Sequence, residues 1–206
     1  MITNEKDFRD FINRTNMSLH SYQCMLKIGY FDAPASKGHH LAEKGGLVKH
    51  SVNVTRELLK LTETMGVSWP REESPYLVGL LHDLVKCRCY RVVADAEQDG
   101  NGDDSKRATT RFEYVQPEYP GHGIASVMIA AELGIELRPE EIAAITYHMG
   151  MFGVGKEYTD REFNAALAKY PQQIIATHCA DWWAARVTEE GVFEQQAHDS
   201  KTGGAA

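Results

Sequence analysis

The segment that decides the fold reads SPYLVGLLHDLVK and spans residues 74–86. It predicts a helix with Ser74 as its N-cap and Pro75 at its first position, because both residues favour a helix N-terminus. The remaining residues are apolar on nearly every face, which is typical of a helix at the centre of a domain. Two polar residues, His82 and Asp83, nevertheless lie in its middle.

This pair needs an explanation, because a buried ionised carboxylate costs several kcal/mol unless it is paired or bound to a metal. A core histidine hydrogen-bonded to its neighbour would explain an isolated pair. Here, however, other predicted helices also carry one polar residue each on an apolar face: His50, His122, His148 and Asp181. The economical explanation is that these side chains converge. Imidazole and carboxylate ligands without a thiolate suit Mn, Fe, Zn, Co or Ni.

Apolar periodicity predicts helices elsewhere in the chain as well. Their expected ranges are 7–12, 19–28, 47–64, 122–133, 139–149 and 171–187, with a shorter helix from residue 159 or 160. Two short strands are expected at 87–94 and 108–116, joined by an acidic exposed hairpin tip. The predicted fold is therefore all-α, a helical bundle with a small β-hairpin insertion near residues 87–116. One domain is expected over 1–199, with its core at about 29–187 and a disordered tail at 200–206.

The composition limits the partners that can be expected. The chain has 206 residues, with 29 acidic and 22 basic side chains and a net charge of −7. Acidic residues between positions 95 and 104 account for most of that charge. The sequence has no cluster of Lys and Arg of the kind that binds a nucleic-acid backbone. A long nucleic acid is therefore not expected as a partner, whereas a small phosphate ester fits. The sequence does not indicate an oligomeric state.

The apolar runs and the cysteines of the sequence indicate the compartment in which the protein works. No apolar run reaches the length of a membrane span, and the N-terminus lacks the apolar stretch of a signal peptide. The four cysteines form no Cys-x-x-Cys pair and are too few for a disulfide scaffold. A reduced, cytoplasmic protein without membrane contact is the expectation.

The order His50, His82-Asp83, His122, His148 and Asp181 resembles the HD-domain superfamily of metal-dependent phosphohydrolases in its six-ligand form. Shorter motifs extend the resemblance over about residues 29–187, and they are similar to one bacterial branch of the superfamily. That branch is related to the HD-domain 3′–5′ exoribonucleases and, more distantly, to the HD-GYP cyclic-dinucleotide phosphodiesterases. The motifs are APA (33–35), HH (39–40), GGL (45–47), HS (50–51), LHDLVK (81–86), YPGHG (119–123) and YHMG (147–150).

The resemblance implies an HD-domain bundle that binds two divalent or iron-type ions, without distinguishing among Mn, Fe, Ni, Co, Mg and Zn. Asp83 would bridge the two ions, and the other ligands would divide between them. The first ion would also take His50, His82 and Asp181, and the second His122 and His148. Two cations roughly 3.5–4 Å apart can clamp a phosphate and deprotonate a water molecule near neutral pH.

Substrate contacts are implied at two further places. Lys86 lies one turn after Asp83, and in the HD-GYP relatives the equivalent lysine touches the phosphate. The resemblance therefore makes Asp83 and Lys86 the candidate catalytic residues, with Lys86 as the substrate clamp; a surface lysine near a helix C-terminus is the alternative. His39 or His40 could orient a ligand or bind substrate, or could belong to a polar loop.

Three weaker expectations concern the surroundings of the site. His178, one turn before Asp181, is expected either to support a ligand or to bind metal itself. Trp182 and Trp183 are expected in the core rather than as a platform for base stacking. The glycine-rich loop at 150–156 could close over the site.

The predicted function is that of a phosphohydrolase or phosphodiesterase acting on a small nucleotide or related phosphate ester. The exoribonuclease relatives carry an added oligonucleotide-binding domain, for which this chain has no room. Two alternatives stay open. Some HD proteins hold a mixed-valent di-iron pair and oxidise a C–H bond with oxygen, and others could bind a nucleotide as non-catalytic sensors.

Overall fold

The computed structural model describes residues 3–38, 41–93, 111–153 and 160–189. These residues are mostly helical and include one two-stranded antiparallel sheet, so the prediction of a helical protein with a small hairpin is confirmed. The α-helices are α1 (Thr3–Arg14), α2 (Leu19–Lys27), α3 (Gly46–Met65), α4 (Ser74–Leu81), α5 (Lys86–Cys89), α6 (His122–Glu132), α7 (Pro139–Thr146), α8 (Asp160–Lys169) and α9 (Pro171–Trp183). A 3₁₀ turn follows α7 at Gly150–Gly153, and a π-helical turn extends α9 over Ala184–Glu189.

The central helix α4 differs from its prediction at both ends. Its N-cap is Glu73, and the hydroxyl of Ser74 instead donates a hydrogen bond to Glu141 Oε1 at 2.7 Å. The assignment of Ser74 as the N-cap is therefore wrong, because a buried carboxylate on α7 takes its hydroxyl. The helix ends at Leu81 rather than near Lys86.

Beyond Leu81 the backbone winds more tightly. The amides of Leu84, Lys86 and Arg88 each donate to the carbonyl three residues earlier, at 2.8–3.1 Å. Side chains three residues apart eclipse one another in such a winding. Lys86 consequently lies on the same side of the chain as Asp83, and its Nζ is 2.5 Å from Asp83 Oδ2.

The strand pair is shorter than predicted. β1 (Tyr90–Val93) pairs antiparallel with β2 (Arg111–Tyr114), and Tyr90 lies opposite Tyr114. Residues 87–89 belong to α5 instead of a strand, because the tight winding after α4 continues through them. The predicted acidic tip lies outside the described residues.

Two glycines let the helices that carry polar residues approach closely. A Cβ on Gly79 of α4 would meet Thr55 of α3, and a Cβ on Gly123 of α6 would meet the carbonyl oxygens of Ile145 and Thr146. The apolar face of α3 that carries His50 is buried at Leu47, Val54 and Leu58. These contacts bring α3, α4, α6 and α7 together around one centre.

Helix α7 is also shorter than predicted. α7 ends at Thr146, three residues before its expected end, so His148 lies in the turn that follows. Among the described residues, no helix combines the length and apolarity needed to cross a membrane.

Candidate metal centre

The six residues proposed as ligands come from five separate parts of the fold and meet in one place. His50 lies near the start of α3, and His82-Asp83 lies in the turn after α4. His122 is the first residue of α6, whereas His148 lies after α7 and Asp181 lies in α9. His50, His82, Asp83 and His148 are all at most 2% exposed, and the cluster could hold a metal ion.

The first part of the cluster surrounds Asp83 Oδ2. The Nε2 atoms of His50 and His82 lie 3.5 and 3.3 Å from this oxygen. Asp181 Oδ1 lies 3.1 Å from His50 Nε2 and 3.8 Å from His82 Nε2. Four side chains thus point donor atoms at one small volume.

The second part surrounds the other oxygen of the same carboxylate. His122 Nε2 lies 2.5 Å from Asp83 Oδ1, and His148 Nε2 lies 3.4 Å from it. The ligand atoms in each of the groups His50/His82/Asp83 and Asp83/His122/His148 lie within 4.8 Å of one another. Asp83 therefore shares its two oxygens between two sets of imidazoles.

The far sides of three rings show which nitrogen carries the proton. His82 Nδ1 lies 2.9 Å from the carbonyl of Gly79, and His148 Nδ1 lies 2.7 Å from that of Ile145. His50 Nδ1 lies 3.0 Å from Glu189 Oε1. A carbonyl or carboxylate oxygen can only accept, so each Nδ1 donates, and a neutral ring then presents the lone pair of Nε2 to the centre.

If His50 and His82 are both neutral, this tautomer assignment leaves acceptor atoms facing one another. His50 Nε2 and His82 Nε2 are 3.3 Å apart, with carboxylate oxygens on either side. Neutral acceptors at such a distance have no proton to share, and a cation between them removes the conflict. The donor set therefore fits a metal ion of the kind bound by imidazole and carboxylate.

Without a cation, protons have to balance the buried carboxylates. Burial lowers the pKa of His50, but hydrogen bonds with Asp181, Asp83 and Glu189 outweigh it and hold this pKa well above its usual value. Burial raises the pKa of the Asp83 carboxyl, but Lys86 and the nearby imidazoles outweigh this effect and hold it well below its usual value. The centre thus stabilises positive charge strongly.

Lys86 supplies part of that positive charge. Its Nζ lies 2.5 Å from Asp83 Oδ2, and its side chain is only 11% exposed. Burial lowers the pKa of Lys86, but the interaction with the Asp83 carboxylate outweighs this effect and raises the pKa above its usual value. The amine therefore stays protonated. The alternative of an exposed surface lysine is therefore wrong, since the tight winding after α4 turns this side chain into the centre.

Glu189 is a residue that the sequence did not single out. It is 4% exposed, and it accepts hydrogen bonds from His50 Nδ1 and from Asn53 Nδ2, the latter at 3.0 Å. The last helix was expected to end near residue 187, and only the π-helical turn brings Glu189 to His50. An acidic residue near the end of an amphipathic helix was the sole signal.

The other predicted site residues have mixed outcomes. His178 Nδ1 lies 2.6 Å from the carbonyl oxygen of His148, which favours the supporting role over that of a metal ligand. His39 and His40 lie outside the described residues, as do residues 154–156 of the glycine-rich loop. Trp182 and Trp183 are 60% and 55% exposed, so their placement in the core is wrong.

A cavity of about 410 Å³ opens onto the cluster. Five of the six clustered side chains line it, together with Lys86 and the basic residue Arg186. Further residues of its wall are Ala35, Ser36, Tyr90, Met149, Trp182 and Ala185. The volume is within the range of roughly 300–1,000 Å³ that is usual for small-molecule sites.

Comparisons with protein families, with curated proteins and with solved structures found no match to this chain.

Proposed function

We propose that this protein is an HD-type metal-dependent hydrolase that cleaves a small phosphate ester at a two-metal centre. The observation that carries the proposal is the division of the Asp83 carboxylate between two sets of imidazoles, with Oδ2 toward His50 and His82 and Oδ1 toward His122 and His148. One carboxylate serving two ligand groups is the arrangement expected of a bridging ligand.

The ligand order along the chain and the motifs around it are similar to those of HD phosphohydrolases. One ion would be held by four residues and the second by three, with Asp83 common to both. The first set is His50, His82, Asp83 and Asp181, and the second is Asp83, His122 and His148. Bound divalent ions supply Lewis acidity toward phosphoryl oxygens and lower the pKa of a water molecule.

Residues of this chain would contribute to the reaction in two further ways, by binding the phosphate and by orienting the metal ligands. Lys86 and Arg186 line the cavity and supply cationic groups that suit an anionic phosphate. The hydrogen bonds on the Nδ1 atoms of His50, His82 and His148 hold each ring in one orientation. In the overall reaction, water bonds to phosphorus, the P–O ester bond breaks, and the released alcohol takes a proton.

The experiment is hydrolysis of p-nitrophenyl phosphate and bis-p-nitrophenyl phosphate by protein loaded separately with Mn, Fe, Co, Ni, Zn or Mg. Asp83→Asn keeps the shape of the side chain but removes its charge, so we expect metal binding and hydrolysis to be lost together. Lys44→Met serves as the control, because Lys44 pairs with Asp32 at an exposed position.

The same assay is run with and without oxygen. Hydrolysis that is equal under both conditions supports the proposal. Metal-loaded protein that hydrolyses neither ester, or that transforms substrate only when oxygen is consumed, would contradict it and favour the oxygenase alternative.

A further inference from the structure

Trp182 lies at the cavity rather than in the core. Its side chain is 60% exposed, and it follows directly after Asp181 in α9. Single exposed apolar residues are common on protein surfaces and need no explanation. This one, however, belongs to the wall of the cavity that contains the clustered histidines and aspartates.

The last turns of α9 present a set of residues to that cavity. Asp181, Trp182, Ala185 and Arg186 all line it. Residues about four positions apart lie on the same side of a helix, so Trp182 and Arg186 are neighbours beside the pair Asp181 and Ala185. An indole and a guanidinium therefore lie together on one side of the carboxylate of Asp181.

The indole ring is supported from within the protein. The ring centroids of His178 and Trp182 are 5.8 Å apart, with an interplanar angle of 46°. His178 is itself fixed by its hydrogen bond to the carbonyl of His148. The aromatic ring is thus tied to the same turn that carries a candidate ligand.

We propose that Trp182 stacks on a nucleobase, and that the ester bound in this cavity is a mononucleotide-sized molecule. This inference rests on the proposed phosphate-ester function and adds the recognition of the alcohol part. Any nucleobase can stack on an aromatic ring, whichever of the four bases it is. Lys86 and Arg186 carry positive charges that can bind the phosphate group. A sugar phosphate without a base offers the indole only C–H groups and no aromatic face to stack on.

The test measures binding without turnover, by calorimetry on the metal-loaded full chain. The probes are a phosphonate analogue of adenosine 5′-monophosphate and the matching analogue of ribose 5-phosphate, in which a C–P bond replaces the ester bond. We expect the wild-type protein to bind the adenosine analogue about tenfold to a hundredfold more tightly. Trp182→Ala should abolish this preference while leaving the Kd of the ribose analogue unchanged, and Trp182→Phe should retain most of it.

Trp183 provides the matched control. It is the adjacent tryptophan, is 55% exposed, and is absent from the residues that line the cavity in the described part of the chain. Trp183→Ala should therefore keep the full preference for the adenosine analogue. Because both indoles are largely exposed, either truncation should preserve the fold, which thermal unfolding checks.

Three results would overturn the assignment. If the wild type binds the two analogues equally, the stacking proposal is refuted, but the proposal of phosphate binding still stands. An equal loss of both analogues in Trp182→Ala, or the same loss in Trp183→Ala, would show that Trp182 has no specific role. If neither analogue binds, the proposed phosphate-ester function fails as well, so the two failures are distinguishable.

Discussion

His50 Nδ1 lies 3.0 Å from Glu189 Oε1, and both side chains are buried. This contact joins the N-terminal part of α3 to the π-helical turn that follows α9. It makes Nδ1 the donor, so that in a neutral ring the lone pair of Nε2 faces the centre, where a metal ion could bind. The last turn of the described chain therefore orients the first residue of the candidate metal centre.

Glu189→Gln should weaken metal binding by about tenfold to a hundredfold, as is usual when the partner of a metal-bound imidazole is changed. The amide can turn its NH₂ group toward Nδ1, which would favour the wrong tautomer of His50. Competition with a coloured chelator measures the affinity. Glu57→Gln removes a carboxylate that pairs with Lys60 and is the control. Equal affinities of Glu189→Gln and wild type would refute the orienting role.

Lys86→Met should have opposite effects on metal and on substrate. Its ammonium lies 2.5 Å from Asp83 Oδ2 and competes electrostatically with any cation bound there. Removing it should strengthen metal binding, whereas kcat/KM for a phosphate ester should fall about tenfold to a hundredfold because a charged hydrogen bond is lost. Titration with metal and steady-state kinetics check the two parts. A variant that loses metal would show that Lys86 supports the centre instead of competing with it.

Gly123→Ala should destabilise the protein by roughly 1–3 kcal/mol, because the new methyl group meets two backbone carbonyls that cannot turn away. The same strain would move His122 away from His148 and reduce metal binding. Gly38→Ala is the control, since its Cβ would meet nothing within 4 Å. Urea unfolding measures both variants, and equal stability would contradict the close packing of α6 on the turn after α7.

Glu141→Gln should lower the free energy of unfolding by about 3 kcal/mol without affecting the metal centre. Arg71 donates to both oxygens of this buried carboxylate at 2.8 Å, and Ser74 donates to Oε1. Urea unfolding and metal titration on the same preparation separate the two effects. Loss of metal from a folded variant would show that the two networks are coupled.

The helices and the candidate ligands were predictable because their signals are local. A polar residue on an apolar stripe stands out in the sequence, as at His50, and the pair His82-Asp83 stands out in an apolar helix. The structure places these side chains together with His122, His148 and Asp181.

The features that were missed depend on backbone geometry or on distant contacts. The tight winding after Leu81 and the π-helical turn that brings in Glu189 leave no periodic pattern in the sequence. Ser74 was predicted as an N-cap because its neighbours in the sequence favour that role. Its hydrogen bond to Glu141, 67 residues away, cannot be predicted from those neighbours. Trp182 looked like core because its type is usually buried, whereas its position beside Asp181 turns it toward the cavity.

The most direct test of the central claim is the number of metal ions per chain, measured by elemental analysis after purification without chelators and incubation with excess metal. The account predicts two ions in the wild type and a loss of both in Asp83→Asn, because this carboxylate serves both ligand groups. A wild-type protein that retains no metal, or an Asp83→Asn variant that retains the wild-type amount, would contradict it.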